Sequence, residues 1–255
     1  KNVTTIETEI NPFTKLIIGE KFEVNLIEGN KASVEIETDE NLHDVIEFNV
    51  SDSILKFNTT HKIRSSKKLN ITIRYTKILD EIEVIDDAEL NSLTSLNIDT
   101  LSVKIRNFGK VNMNVKSKSF KFSNKNEAKL KLSSKSRLNI DSNFIDFELS
   151  ETSLTDALVK CDSISLKMYE KANAQIEGNT DILDATLLNS NNFEGKNLTT
   201  NHCHVTTAES SDFSIHTVEK ITIESSGNSE VYLYGNPAIT LHKFADKAKL
   251  HKKEL

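Results

Sequence analysis

Four stretches of this chain can be laid over one another: "LKMYEKANAQI", "TLLNSNNFEG", "HVTTAESSDFSI" and "TIESSGNSEVYL". Each has an alternating strand, a short polar corner and a second apolar pulse. The anchors Met168, Leu187, Val205 and Ile223 stand 19, 18 and 18 positions apart, with Ile182, Leu198 and Val218 as a third pulse between them. Upstream, "VKIRNFGKVNMNV" and "FKFSNKNEAKLKL" repeat the design, and Ile105 and Phe122 are 17 positions apart. A strand this short cannot bury its inner face alone. Wound three strands to a turn and stacked, it can: equivalent side chains then lie about 4.8 Å apart, and parallel pairing with the turns above and below satisfies the backbone. The repeat predicts an all-β chain folded as a single-stranded parallel β-helix, a β-solenoid. Met168, Leu187, Val205 and Ile223 are expected to form one interior column.

The rival repeats fit less well. A leucine-rich repeat needs a recurring Asn position, and a propeller needs blades of about 40–50 residues with recurrent aromatics. This chain has no Trp, and its seven glycines are too few for calcium-binding nonapeptides. The Ser/Gly/Asn knots read as corners, where left-handed backbone favours those residues. The pattern divides into an N-terminal β-rich cap over 1–77, repeats of 18–20 residues over 78–240, and a C-terminal tail over 241–255. Gly235 and Pro237 read as the place where winding stops. Spacing loosens between Phe122 and Met168, which suggests an insertion near "SRLNIDSNFIDFELSETSL". "DENLHDVI" reads as a single helical turn. A right-handed winding is expected, because parallel crossovers usually take that hand.

Composition excludes several classes of function. With 37% hydrophobic and 27% charged residues, the chain is too apolar for disorder. A net charge of −6 with scattered Lys and Arg argues against nucleic acid. The tail "LHKFADKAKLHKKEL" has five Lys against one Asp and one Glu, and reads as a solvated end. No apolar run approaches the roughly 20 residues of a membrane span. The start "KNVTTIETEI" lacks Met, as after removal of an export signal or trimming. The terminal "KKEL" departs from a retention signal at its second position and reads as coincidence.

Two segments resemble the putative auto-transporter adhesin, head GIN domain family, formerly DUF2807. The first is "FTKLIIGEKFEVNLIEGNKASVEIETDENLHDVIEFNVSDSILKF", with Phe13, Val24, Gly29, Val34, Asp39, Asn41, Leu42 and Leu55 at the family's positions. The second is the Ser-Gly knot before "VYLYGNP", carried by Ser225, Ser226, Gly227, Val231, Tyr232, Gly235, Asn236 and Pro237. Together they span nearly the whole chain. Where the family repeats Ser-Gly-Ser-Gly corners, this chain has Asn-Lys-Asn-Glu, Ser-Glu-Thr-Ser and Asn-Ser-Asn-Asn. The resemblance implies an exported, non-catalytic β-helical protein of the periplasm, outer membrane or cell surface, of the kind common in Bacteroidetes-type bacteria. Its partner would be a glycan or a cell-surface protein. The motifs are structural, so no catalytic residue and no cofactor come with them.

Several side-chain constellations bear on that expectation. "HCHV" puts His202 and His204 on one strand face, about 6.5–7 Å apart, the start of a zinc site. Cys203 and Val205 then point inward, both histidines face solvent, and the repeat places no carboxylate beside them. Outer-face histidines are the simpler reading. Cys161 and Cys203, 42 positions apart, fall at different phases and read as two buried free thiols. A polysaccharide hydrolase or lyase is the alternative function, and it needs paired carboxylates on one face. "NTD" at 179–181 and "DD" at 86–87 echo such motifs in reversed order, several coils apart; Asp181 and Asp184 read as corner residues. Tyr232 and Tyr234 project outward from the last strand and are candidate binding residues. The simpler expectation is that they pack under "AITLHKF". Lys129, Lys131, Glu148 and Lys167 read as a solvated face.

Overall fold

A computed structural model of the chain describes residues 2–64, 66, 68–126 and 135–255. It is a β-solenoid of about nine turns with parallel stacking. The body consists of long strands, each covering most of one coil: β12 (Lys110–Asn126), β13 (Lys135–Glu151), β14 (Leu154–Glu170), β15 (Asn173–Asn189), β16 (Asn192–Thr207) and β17 (Asp212–Ser225), counted along the chain. Along β14 the burial alternates, with Thr155, Ala157, Val159 and Cys161 inward and then Ile164, Leu166 and Met168. Each strand pairs in parallel with the next, as Leu154 with Asn173, Asn173 with Asn192 and Asn192 with Asp212. Period-2 patterning thus becomes a continuous interior, where each fully buried Leu, Ile or Phe contributes about 1.5–3 kcal/mol. Phe193 and Phe213 stack there at 4.9 Å.

Two corners close each coil by different chemistry. At one, a left-handed residue recurs once per coil: Glu20, Asp86, Asn107, Glu151, Glu170, Asn189, Glu209, Gly227 and Asp246, with φ between 55° and 79°. Side chains tie this column together: Asn107 donates to Asp86 at 2.9 Å, Asn189 to Glu209 at 3.2 Å, and the Gly227 amide to Asp246 at 3.0 Å. At the other, an inward hydroxyl closes the bend by donating to the carbonyl two residues on. Ser142 does so to Phe144 (3.1 Å), Thr180 to Ile182 (3.1 Å) and Thr200 to His202 (2.9 Å). Cys161 stands against Thr180 in that column.

The expected interior column is two columns. Met168 stacks on Leu187, but Leu187 stacks on Thr207, whereas Val205 stacks on Ala185 and Ile223. Ile105 likewise pairs with Asn124, and Phe122 with Val103. A slip of two residues keeps every side chain on its face, so the hydrophobic pattern is blind to it. All four anchors are still fully buried. Of the third pulse only Leu198 points inward; Ile182 and Val218 are exposed. The insertion also lies elsewhere. Phe122 pairs with Phe147, 25 positions on, and Phe147 with Leu166, 19 on, so the extra residues fall between 126 and 135 and β13 is a regular coil.

The N-terminal end is built from β1 (Val3–Glu9), β2 (Lys15–Ile18), β3 (Glu23–Glu28), β4 (Ser33–Asp39), β5 (Ile46–Ser51), β6 (Ile54–Thr59) and β7 (Leu69–Tyr75). β2 and β3 lie in parallel on β8 (Glu81–Val84) and β9 (Glu89–Ser92), below β10 (Leu96–Asn97) and β11 (Thr100–Arg106) in the chain. β6 and β7 continue them in parallel, after which β5 pairs antiparallel with β6, β4 with β7, and β1 with β4. Asp52 and Ser53, both at positive φ, make the β5–β6 turn. The expected helical turn is the 3-10 turn Glu40–Leu42.

At the other end, β18 (Glu230–Tyr234) and β19 (Ala238–Phe244) stack on the two halves of β17, and β20 (Lys249–Lys253) stacks on β18. Gly235 and Pro237 therefore form a corner within the winding, not its stop. The tail pairs as strand because its Leu250 still follows the inward phase, over Val231. No helix of the described residues is long and apolar enough to cross a membrane.

Candidate functional site

Alternation along β16 sends Cys203 and Val205 inward and leaves His202 and His204 half-exposed on the outer face. Carboxylates do stand beside them, contrary to the expectation from the repeat. His202 Nε2 is 3.4 Å from Glu219, while His204 faces Asp184 through Nδ1 (3.7 Å) and Glu224 through Nε2 (3.8 Å). Glu224 is also 3.8 Å from His242 Nδ1. Glu219 and His242 lie at bulges in the β16–β17 and β17–β19 ladders, and Glu224 stands diagonally from His204, two residues beyond its partner Thr222. The two histidines engage separate carboxylates. Among the described residues no three His, Cys, Asp or Glu side chains are placed to hold one metal ion. His216 lies on another ladder, 3.3 Å from Thr199 Oγ1.

Tyr232 and Tyr234 face outward from β18, as their spacing required, but their rings are not open platforms. Tyr232 stacks on His251 of β20 at 4.8 Å and 12°, with Lys253 Nζ 5.5 Å from its centroid. Its hydroxyl donates to Glu230 at 2.7 Å, and Glu230 also receives Lys249 at 2.7 Å and His251 at 3.0 Å. Lys249, then Tyr232 and His251, hold the Glu230 carboxyl down at about 2, while that carboxylate pushes the Tyr232 phenol up to about 12. Tyr234 carries Lys196 Nζ 5.3 Å from its ring centroid. The covering strand is "KLHKK" rather than "AITLHKF". Stacking along the ladder presents ring edges and charged groups to solvent.

The remaining candidates are dispersed. Asp181 accepts from Asn201 at 3.0 Å, Asp184 lies mid-strand opposite His204, and Asp86 belongs to the corner column several coils away. These carboxylates do not converge. Cys161 and Cys203 are free and buried. Burial raises both thiols, that of Cys161 to about 11. Glu148 accepts from Lys125 at 2.7 Å, which holds its carboxyl below the usual range; Lys129 and Lys131 lie outside the described residues. One feature had no clear signal in the sequence beyond the run "HKIR". A cavity of about 250 Å³ opens between the β2–β3 turn and the segment after β6, with Phe22, Ile63 and Leu69 as apolar lining and Lys21, Lys62 and Arg64 as cations.

The family model described as "Putative auto-transporter adhesin, head GIN domain" matches residues 12–143 and 133–237. No curated protein matches the chain. Among solved structures, a putative adhesin from Parabacteroides merdae is 15% identical with a TM-score of 0.67, over 98% of this chain and 96% of that one. A putative adhesin from Parabacteroides distasonis is 14% identical with a TM-score of 0.67, over 100% and 97%. A putative lipid binding protein from Parabacteroides distasonis is 14% identical with a TM-score of 0.66, over 99% and 97%. At these identities the likeness is one of fold.

Proposed function

Because the chain belongs to the "Putative auto-transporter adhesin, head GIN domain" family, we propose that it is an exported, non-catalytic binding module of the bacterial periplasm or cell surface. Its work is to hold an extended glycan or a cell-surface protein against the outer faces of the solenoid. The family match over 12–143 and 133–237 carries this reading, and the fold neighbours described as putative adhesins support it. The outer faces suit the role: ladders of charged and hydroxyl side chains repeat at about 4.8 Å, a spacing that gives an extended partner many weak contacts. A glycan array read together with binding to intact bacterial cells tests it, with reducing-sugar release measured in parallel. Binding without release is the expected result. Released reducing ends would establish the polysaccharide enzyme instead, and absence of binding to both glycans and cells would end the adhesive reading.

One observation favours a second reading, capture of an anionic amphiphile. The N-terminal cavity combines an apolar lining with Lys62 and Arg64, neither of which has an ion-pair partner among the described residues. This accords with the neighbour described as a putative lipid binding protein. Titration of a fluorescent long-chain carboxylate against wild type and Arg64→Glu separates the readings: saturable binding lost in the variant supports capture, and no saturable binding removes it.

A further inference from the structure

Both ends of the solenoid finish in strands with one unpaired edge. Among the described residues β1 pairs only with β4 and β5 only with β6, while β19 pairs only with β17 and β20 only with β18. We propose that these ends join copies of this chain head to tail, the basic tail of one on the acidic head of the next. The inference is independent of the adhesive reading.

The shapes of the ends fit. One side of the solenoid runs β5–β6–β2–β8–β11 and ends in β19; the other runs β1–β4–β7–β3–β9 and ends in β20. Counted through the shared long strands, the second side has one strand more than the first, and a winding that rises evenly around each coil shares that excess between the ends, so each end is a step of about half a strand, high on the same side. A neighbour turned by about half a turn about the long axis puts each high strand into the other's step. β19 then meets β1, and β20 meets β5.

The chemistry fits as well. Ile239 and Leu241 continue the interior columns of Ile221 and Ile223, yet they are 44% and 49% exposed because no coil covers them. Ile6 of β1, 49% exposed, continues the inward column of Ile36 and is the apolar residue that would face them. Around these patches the charges oppose. Residues 33–51 contain six acidic residues and no Lys or Arg, whereas residues 238–255 contain five Lys against one Asp and one Glu. Exposed Glu40, Asp44 and Glu47 at the head, and Lys243, Lys247 and Lys252 at the tail, have no ion-pair partner among the described residues.

The tail also guards against its like. β19 is bulged between Ile223 and Glu224 of its partner, its edge carries Lys243, and Lys252 of β20 takes the inward phase over Leu233. Lysines and bulges on an edge strand oppose pairing with an identical edge, whereas an acidic edge is complementary to them. Head-to-tail contact is heterologous, and when it does not close into a ring it extends into a linear array. Such an array would repeat the outer faces at fixed spacing.

Sedimentation velocity on the full chain, over a concentration series at low and high salt, tests this with two exposed-edge variants, Leu241→Asp at the tail and Ile6→Asp at the head. The wild type is expected to form successive multiples of the monomer mass that shorten in high salt. Each variant alone is expected to be monomeric with an unchanged melting temperature. Their equimolar mixture should give a one-to-one dimer and nothing longer, because each supplies the intact end the other lacks. A wild type that is monomeric throughout overturns the proposal. So does a dimer that does not grow, or a head variant that still dimerises, since either marks tail-to-tail contact.

Discussion

Gly178 is the residue on which coil stacking can be tested most sharply. It lies in β15 over Val159 of β14, at φ +112°, and a Cβ there would stand 1.9 Å from the Val159 carbonyl oxygen and 3.1 Å from its nitrogen. Carbon and oxygen rest no closer than about 3.3 Å, so Gly178→Ala must part the two coils locally by more than an ångström. That opens the flanking ladder hydrogen bonds, at about 1 kcal/mol each. The backbone conformation itself costs a non-glycine residue about 1–3 kcal/mol. Together the loss is about 3–4 kcal/mol, or a fall in Tm of about 6–10 °C for a chain of this size. Gly29→Ala is the control: its Cβ would meet the Lys31 carbonyl at 3.1 Å and Arg74 Cβ at 3.2 Å, at ordinary φ, and should cost less than about 1 kcal/mol. Urea unfolding of both variants gives the comparison. Equal losses would refute the close approach of β14 and β15 at this point.

Two further predictions concern the corners and the last coil. Glu170 holds φ 62°, which costs an L-residue about 1–2 kcal/mol against the roughly 0.5–1 kcal/mol of extra unfolded-chain freedom in glycine; Glu170→Gly should therefore raise stability by about 0.5 kcal/mol in urea. Gly227→Ala, in the same column, should lower it, since its Cβ would lie 2.5 Å from the Glu209 carbonyl oxygen. Glu230, held at about 2 when folded and near 4.5 when unfolded, stabilises the β18–β20 contact fully above the unfolded value. That contribution is lost as pH falls through about 2, so amide exchange in β20 should accelerate on acidification between these values. Glu230→Gln should flatten the response.

The fold was legible because inward alternation at a fixed period has few three-dimensional solutions, and the anchors Met168, Leu187, Val205 and Ile223 are indeed interior. Register was not legible. Two residues of slip exchange one inward position for another, so only the corner lengths decide whether Leu187 meets Val205 or Thr207, and those vary from coil to coil. Ile182 and Val218 escape the pattern for a related reason: each sits at a bend where two or three successive residues are exposed, so apolar character there does not mean burial. The Gly227 corner was readable from its Ser-Gly knot. Glu151, Glu170 and Glu209 were not, because glutamate is no turn former and is held left-handed by the stacked coils. Of the outer-face candidates, the direction of His202, His204, Tyr232 and Tyr234 followed from alternation. Their neighbours did not, since Glu224 reaches His204 diagonally from the next coil, His242 arrives through a bulge and His251 from a tail that reads as solvated.

The central claim is that successive coils stack in parallel along one axis, and spin-label distances measure it most directly. Lys121, Asp146, Ser165, Asp184 and His204 form one outward ladder across five coils. With Cys161→Ala and Cys203→Ala as background, labels at His204 paired in turn with Ser165, Asp146 and Lys121 should give separations that grow by about 4.8 Å per coil, to roughly 19 Å between backbones. Separations that do not rise evenly along that series would contradict the solenoid.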